Sequence, residues 1–358
     1  MRWLIVIASM AALALLPGVI GLIPTHVTSI DAAELLKRVV DSGHVSYSGL
    51  AVSHAGLKLP DVRGAGRLAA LFGETTRMRV WYRDPFRWRV DEIHALGERD
   101  LYRDASGTWF WDSGNRQATR TLGTDTVRFA RPADLLPSEL GRRLASAARP
   151  DELSHLAPRR VAGVDAAGLR ITPHDNASTL AHADLWADPQ SGLVVRAEVS
   201  ARTMDEPIIS TSFLDLEQHV PDLELMRFAV PRGAGTNLSE APDFARAVDR
   251  YSPYVLPDLL AGESRRSEEA RGAATYGEGY SLIAALALPV RFLPEDRLTA
   301  LPRIAGPWDS ARVAESPLLN ALTVIDGEVA FVLGGTVSTQ KLIDVATELT
   351  ETGVGVRS

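Results

Sequence analysis

The sequence predicts a mainly β protein in which one large, curved antiparallel sheet with helices at its start and middle is followed by a smaller α+β domain. Three observations support this prediction. Many stretches alternate apolar and polar residues with a period of two, which is typical of strands with one buried face. Short turns, such as the Asp-Pro pair at 84–85, make consecutive strands antiparallel neighbours. Apolar residues with helical spacing precede the strands at 31–43 and interrupt them at 130–147.

Length and composition limit the possible classes of protein. A chain of 358 residues exceeds what one hydrophobic core usually organises, so we expect two domains. The net charge of -7 gives no reason to expect a nucleic acid as partner. Because the chain has no cysteine, disulfides, thiolate metal sites, cysteine nucleophiles and a lipid-modified N-terminal cysteine are excluded.

An apolar run without a charge extends from residue 3 to residue 22, directly after Arg2. As a helix it would cover the roughly 30 Å of a bilayer core. No convincing small-x-small cleavage site follows it, so we expect residues 1–28 to act as an uncleaved membrane anchor, with a cleaved secretory signal as the alternative. Either outcome places the remainder of the chain outside the cytoplasm.

The first elements after this segment are a helix and a meander of strands. Asp31 caps the helix, Gly43 ends it, and its apolar stripe is Leu35, Leu36, Val39 and Val40. Strand patterns then begin at Val45, Met78 and Phe86, with polar residues at the alternate positions. This alternation predicts antiparallel strands with one face toward solvent.

The rest of the first domain is predicted to contain two further hairpins, a helix and three more strand patterns. The hairpins follow from the turns at 104–107 and 113–115, on either side of the aromatic triplet Trp109, Phe110 and Trp111. A leucine stripe predicts the helix at 130–147, which Pro137 interrupts. Strand patterns resume at 159–172, 183–199 and 208–216.

Residues 232–243 carry the strongest linker signal in the chain, because glycine, proline and polar residues dominate them. We therefore expect a first domain at 29–231, a linker at 232–244 and an α+β domain at 245–358. The second domain ends in a hairpin around an Asp-Gly turn at 326–327 and a helix capped by Ser338.

Motifs of catalysis, metal binding and cofactor binding are missing from the sequence. The eight histidines never occur in H-E-x-x-H spacing, and neither G-x-S-x-G nor G-x-x-x-x-G-K-[ST] is present. The carboxylates lie in or beside turns, where solvated capping roles are usual. We expect no enzyme activity, no catalytic residues, no metal and no cofactor.

The remaining candidate site is a face of the first sheet. If the hairpins pair as the turns indicate, one face carries eight apolar residues, namely Met78, Val80, Tyr82, Phe86, Trp88, Val90, Trp109 and Trp111. Two interpretations stay open at this point. The helices at 31–43 and 130–147 cover the face as an ordinary core, or two short helices cannot cover so many strands and leave an apolar cavity.

The order of these elements resembles the LolA-like superfamily over residues 29–231. The similarity is carried by Y-S-G at 47–49, R-V-W-Y-R-D-P-F-R-W-R-V-D from Arg79, L-W-A-D-P-Q-S-G-L-V-V-R-A-E-V from Leu185, and M-R-F-A-V-P from Met226. This superfamily includes the lipoprotein carrier LolA and the N-terminal domain of the sigma-factor regulators RseB and MucB.

The resemblance implies an unclosed β-barrel whose concave apolar face receives acyl chains under lid helices. In RseB-type proteins a second, smaller domain contacts an anti-sigma factor, and the two-domain layout here is similar. The C-terminal part also resembles a domain of extracytoplasmic regulators in Gram-positive bacteria. The chain has 35 arginines and only three lysines, a bias that suits an actinobacterium.

The expected function is therefore that of a membrane-associated, extracytoplasmic protein that binds the acyl chain of a lipid or lipoprotein on the eight-residue apolar face. The alternative is an RseB/MucB-like regulator that senses envelope lipids and binds a membrane anti-sigma factor through residues 245–358, and thereby controls an extracytoplasmic-function sigma factor. An uncleaved anchor departs from the pattern of a soluble carrier, because it would prevent shuttling between membranes.

Overall fold

The computed structural model describes residues 30–57, 66–94, 97–105, 107–123, 130–240, 248, 250–266, 270–293 and 298–356. The predicted anchor at 1–28, with its apolar run at 3–22, lies outside these ranges. Among the helices in these ranges, none has the length and apolar character that a membrane crossing requires.

One large sheet dominates the fold. Its strands are Tyr47–Ala55 (β1), Thr75–Asp84 (β2), Arg87–His94 (β3), Gly97–Asp104 (β4), Gly107–Asp112 (β5), Gln117–Leu122 (β6), Leu153–Val161 (β7), Val164–Ile171 (β8), Leu180–Ala187 (β9), Val194–Ala201 (β10), Ile209–Glu217 (β11) and Gly235–Glu240 (β12). They pair in the order β12-β6-β5-β4-β3-β2-β1-β11-β10-β9-β8-β7. Because the outer strands β12 and β7 do not pair with each other, the sheet is an unclosed barrel, as predicted.

The first strand lies in the middle of this sheet. β1 pairs with β2 on one side and with β11 on the other, both antiparallel. The strands β2 to β6 extend from β1 on one side, and β10 to β7 extend from β11 on the other. The central pair β1 and β11 thus joins the two ends of the segment 47–217.

The predicted linker at 232–244 contains a strand. β12 pairs in parallel with β6, with Leu238 opposite Arg120. The edge of β6 offers unpaired backbone groups to any extended segment, so a glycine-rich sequence can add a strand there without an apolar pattern. Residues 241–244 lie outside the described ranges, and the domain limits stay a prediction.

The α-helices for which the described residues give both ends are Ala32–Asp41 (α1), Gly66–Gly73 (α2), Pro137–Ala147 (α3) and Thr339–Thr352 (α4). Asp31 caps α1, as predicted, by accepting a hydrogen bond from the Ala33 amide. The helix predicted at 130–147 is divided into a short 3-10 helix, Pro132–Leu135, and α3. Pro137 stands in the first turn of α3, where its missing N–H costs nothing.

We call the sheet face on which α1 and α3 lie the inner face, and the opposite one the outer face. Over β8, β9 and β10 the two helices and the sheet form a closed core, whose buried members include Leu35, Val39, Ala145, Leu169, Ile171, Leu185, Val194 and Ala197. Gly141 stands where α3 crosses β10. A Cβ there would lie 2.7 Å from both methyl groups of Val194, so the helix approaches the strand closely only because this residue is glycine.

The chain after β11 returns along the outer face of β2 to β6. We call this segment, residues 218–234, the outer strap. Arg83 Nη1 donates to the Pro221 carbonyl at 3.3 Å, and Arg89 Nη1 donates to the Leu225 carbonyl at 3.3 Å. The strap is thus fixed to β2 and β3 through its backbone.

Phe228 of the outer strap packs into an aromatic cluster on the same face. Its ring centroid lies 5.0 Å from those of Tyr102 and Trp109, and 6.1 Å from that of Trp111. The protein's own chain therefore covers part of both indoles, which are half-buried.

A second, smaller sheet domain follows. Short strand pairs are formed by Tyr254–Val255 (β13), Leu259–Leu260 (β14), Glu263–Ser264 (β15) and Gly355–Val356 (β21), and the main strands are Ala273–Tyr276 (β16), Ile283–Pro289 (β17), Ser310–Ala314 (β18), Asn320–Asp326 (β19) and Val329–Gly335 (β20). The main strands pair in the order β16-β17-β20-β19-β18. α4 packs on β19 and β20 over a separate core that includes Leu322, Phe331, Leu342 and Leu349.

Replacement of Gly141 by alanine tests the contact between α3 and β10. Alanine is the better helix former by about 1 kcal/mol. We nevertheless expect Gly141→Ala to lower the free energy of unfolding by about 1–3 kcal/mol, because the new Cβ collides with buried Val194. Ser146→Ala, exposed in the same helix, is the control and should change it by about 0.5 kcal/mol at most. Urea unfolding measures both, and a stabilised Gly141→Ala variant would contradict the contact.

Truncation of Phe228 tests the covering of the outer face. We expect Phe228→Ala to lower the free energy of unfolding by about 2 kcal/mol, less than the 3–5 kcal/mol typical of a fully buried phenylalanine, because this ring is half-buried. Phe86→Ala is the matched control, since Phe86 is 62% exposed and should contribute about 0.5 kcal/mol or less. If both variants unfold at the same urea concentration, the strap does not hold the aromatic cluster.

Candidate ligand-binding cavity

A cavity of about 310 Å³ lies between the inner face of β2 to β5 and the segment that leads into α3. Trp88, Val90 and Leu101 line it from the sheet, and Leu136 lines it from the helix side. The volume is at the lower end of the roughly 300–1,000 Å³ usual for ligand pockets. On the sheet side most of the lining residues are apolar or aromatic, and Arg103 and Thr108 are the polar ones.

Strand register explains why these side chains meet. Tyr82 pairs with Trp88, and Val90 pairs with Leu101, so all four point to the inner face. Since α3 lies mainly on β10, its body does not cover β3 and β4. The gap left beside the helix is the cavity.

Six charged side chains also line the cavity. Four arginines (Arg103, Arg131, Arg142 and Arg143) and two carboxylates (Asp134 and Glu139) line the cavity, an excess of two positive charges. Glu139 binds both Arg142 and Arg143, and Asp134 accepts from Arg143 Nη2 at 2.7 Å. Arg103 donates instead to uncharged groups, the Thr108 hydroxyl at 3.0 Å and the Gly123 carbonyl at 3.5 Å.

Two tyrosines tie the helices to the inner face beside the cavity. The Tyr47 hydroxyl lies 2.6 Å from Ser138 Oγ of α3, and the Tyr82 hydroxyl donates to the Gly43 carbonyl at 2.7 Å. Burial raises the pKa of Tyr82 to about 12 and that of Tyr47 further. Both hydroxyls therefore stay protonated at physiological pH and act as hydrogen-bonding groups.

Five of the eight predicted site residues share the inner face. Met78 and Val80 are completely buried and belong to the core beneath the cavity. Tyr82, Trp88 and Val90 line the cavity itself. The structure thus brings together a smaller apolar surface than the sequence predicts, with part of it used by the protein's own core.

The other three predicted residues lie elsewhere. Phe86 is in the turn between β2 and β3 and is 62% exposed. Trp109 and Trp111 are on the outer face, because Trp109 pairs with Tyr102 and Phe110 pairs with the cavity residue Leu101. The expectation that both indoles share a face with Trp88 is corrected by this register.

Sequence reasoning missed Leu101, Leu136 and the arginines. Leu101 and Tyr102 are adjacent in a strand pattern, so their side chains must point to opposite faces of the sheet. The alternation therefore indicated that one of the two faces the inner side. Leu136 and the arginines carry no such signal, because their place depends on how the segment before α3 crosses the sheet.

Three carboxylates, those of Asp91, Glu98 and Asp100, lie within 4.8 Å of one another on the outer face, away from the cavity. Burial is the main cause, and the charge of Asp91 the next, of a rise in the pKa of Asp100 to about 6. Arg89 donates to both oxygens of Asp91, at 2.6 and 2.7 Å, and lies 3.6 Å from Asp100. Two of the three carboxylates therefore pair with the guanidinium of Arg89. The absence of a metal site stays a prediction.

Comparisons with known proteins identify similar structures but no family. No protein-family model matches the chain, and no curated protein matches it. A chain in the Pseudomonas aeruginosa MucA/MucB complex is similar over 92% of this chain and 100% of its own, with a TM-score of 0.52 and 15% identity. A chain in a complex of MucB with MucA(peri) gives the same coverage, a TM-score of 0.50 and 16% identity.

A LolA superfamily protein from Nitrosomonas europaea covers 56% of this chain and 99% of its own, at 10% identity and a TM-score of 0.26, and adds no weight. None of these proteins is named as an enzyme. The similarity to the two MucB complexes spans both sheets. It supports the fold that the LolA-like resemblance implied, since the fold of this chain is similar to that of MucB.

Proposed function

We propose that the chain is an extracytoplasmic protein that binds the acyl chain of a lipid or lipoprotein in the cavity between the inner face and α3. The observation that carries this proposal is the apolar sheet side of the cavity, which the protein's own helices leave unfilled. Binding would be non-covalent and would gain about 0.8 kcal/mol for each buried methylene. No cofactor, metal or chemical step is part of the proposal.

The charge of the lining favours an amphiphile over a plain hydrocarbon. The excess of two positive charges lies beside the apolar surface, and the hydrogen bonds of Arg103 go to neutral groups. An acyl chain against Trp88 and Val90 would place an anionic head near these arginines. A long chain needs more room than about 310 Å³, so its entry requires α3 to move outwards.

Two tryptophans on adjacent strands test the site. Trp88 and Trp81 are both half-buried, but Trp88 faces the cavity whereas Trp81 faces Arg89 on the outer face. We expect Trp88→Gln to weaken binding of a fluorescent hexadecanoate about tenfold or more, a loss of about 1.4 kcal/mol. Trp81→Gln should change it less than about twofold.

The measurement is a titration followed by fluorescence, together with mass spectrometry of lipid extracted from the purified wild-type protein. Equal affinities of the two variants, or a wild-type protein that binds no hexadecanoate, would contradict the cavity as the ligand site.

A second candidate function is favoured by the fold comparison. The matched structures are of MucB bound to MucA, and the similarity extends over both sheets of this chain. We propose as the alternative an RseB/MucB-like regulator, anchored through residues 3–22 and bound to a membrane anti-sigma factor through residues 245–358. The anchor and the location outside the cytoplasm are shared by both proposals.

Photo-crosslinking in cells tests this alternative. With benzoylphenylalanine at Phe292, which is 44% exposed in the second sheet domain, we expect a crosslink to a membrane protein that binds a sigma factor. Leu214 on β11 is 51% exposed and is the matched position in the first sheet, where we expect no such crosslink. The same product from both positions, or from neither, would contradict a partner site confined to residues 245–358.

A further inference from the structure

The connection between β16 and β17 reaches from the second sheet to α3. We call residues 277–281 the clasp loop. The hydroxyl of Tyr280 donates a hydrogen bond to the Leu144 carbonyl in the last turns of α3. The Tyr280 ring packs against both apolar clusters of the first sheet, so this residue of the second sheet domain is part of the core on which α3 rests.

The backbone of the clasp loop is fixed in this position. Gly277 and Gly279 have φ angles of +87° and +56°, and a Cβ at Gly277 would lie 2.1 Å from the Ser281 carbonyl oxygen. The Tyr280 carbonyl accepts hydrogen bonds from Ser178 Oγ at 3.0 Å and from Thr336 Oγ1 at 2.8 Å. Tyr280 therefore joins three elements: α3, the first sheet before β9 and the second sheet after β20.

The Leu144 carbonyl is a group that needs an external donor. The last four carbonyls of a helix have no partner within it, and α3 ends at Ala147. Tyr280 supplies the missing donor, and burial raises the pKa of its hydroxyl well above the ordinary value, so the proton is present at physiological pH.

The same helix forms a wall of the cavity. Glu139, Arg142 and Arg143 line the cavity from the first two turns of α3, and the clasp loop holds the following turn. An α-helix of 11 residues is about 16 Å long and moves as a rigid element. A displacement of its first turns by a ligand is therefore transmitted to the bond between Tyr280 and Leu144.

We propose that Tyr280 couples occupancy of the cavity to the second sheet. A ligand that moves α3 outwards strains or breaks the hydrogen bond between Tyr280 and Leu144. The displacement of Tyr280 then alters its hydrogen bonds with Ser178, before β9, and with Thr336, after β20. Because such coupling is reciprocal, a partner that binds the second sheet domain would alter the ligand affinity of the cavity by the same factor. The ligand part of this inference rests on the proposed function; the clasp itself does not.

The first experiment needs no ligand. Tyr280→Phe removes only the hydroxyl, and Tyr276→Phe is the matched control, because Tyr276 is a buried tyrosine that donates to the Pro257 carbonyl within the second sheet domain. In hydrogen exchange of the full chain we expect peptides at 141–147 and 277–282 to exchange about three- to tenfold faster in Tyr280→Phe than in wild type. Tyr276→Phe should leave both peptides at the wild-type rate. Unchanged exchange in Tyr280→Phe overturns the clasp.

The second experiment adds hexadecanoate. We expect it to change exchange in α3 and at 277–282 and 335–338 of the wild-type protein. In Tyr280→Phe the change in α3 should remain, and the change at 335–338 should fall by at least half. An equal change at 335–338 in both proteins overturns the coupling.

The failure of the proposed function looks different from the failure of the clasp. If hexadecanoate does not bind the wild-type protein, the proposed function and the coupling to it are wrong. The exchange rates of the ligand-free variants still decide whether Tyr280 holds α3.

Discussion

The close approach of α3 to β10 at Gly141 determines where this protein has a cavity. The missing side chain lets the helix lie directly on Val194, and with α1 it seals the sheet over β8 to β10. A helix of 11 residues held there cannot also cover β3 and β4. The apolar side chains of those strands consequently face a cavity lined on its other side by Leu136 and by charged groups.

The apolar residues on the two faces of the sheet are covered in different ways. On the outer face Phe228 of the strap packs against Trp109 and Trp111, so the chain itself covers part of these indoles. On the inner face Met78 and Val80 are sealed in the core, whereas Trp88 reaches the cavity. One part of the inner face is therefore filled as an ordinary core, and another part lines a cavity.

The sequence allowed the fold to be predicted where the pattern is strictly local. Period-two alternation and short turns indicated the antiparallel strands, and the cap at Asp31 indicated α1. The face of Trp109 and Trp111 could not be predicted, because the three consecutive aromatic residues are apolar in either register. β12 depends on pairing with β6, a segment more than 100 residues away in the chain. The arginine lining depends on the path of the chain across the sheet. Neither feature leaves a periodic signal in the sequence.

The central claim is that the inner face beside α3, and not the aromatic cluster under the strap, receives an acyl chain. A crystal structure of the protein grown with a dibrominated stearic acid tests it most directly, because the bromine atoms are located by anomalous scattering. We expect bromine peaks between Trp88, Leu101 and Leu136. Bromine peaks against Trp109 and Trp111 on the outer face, or an unfilled cavity beside Trp88 at saturating ligand, would contradict it.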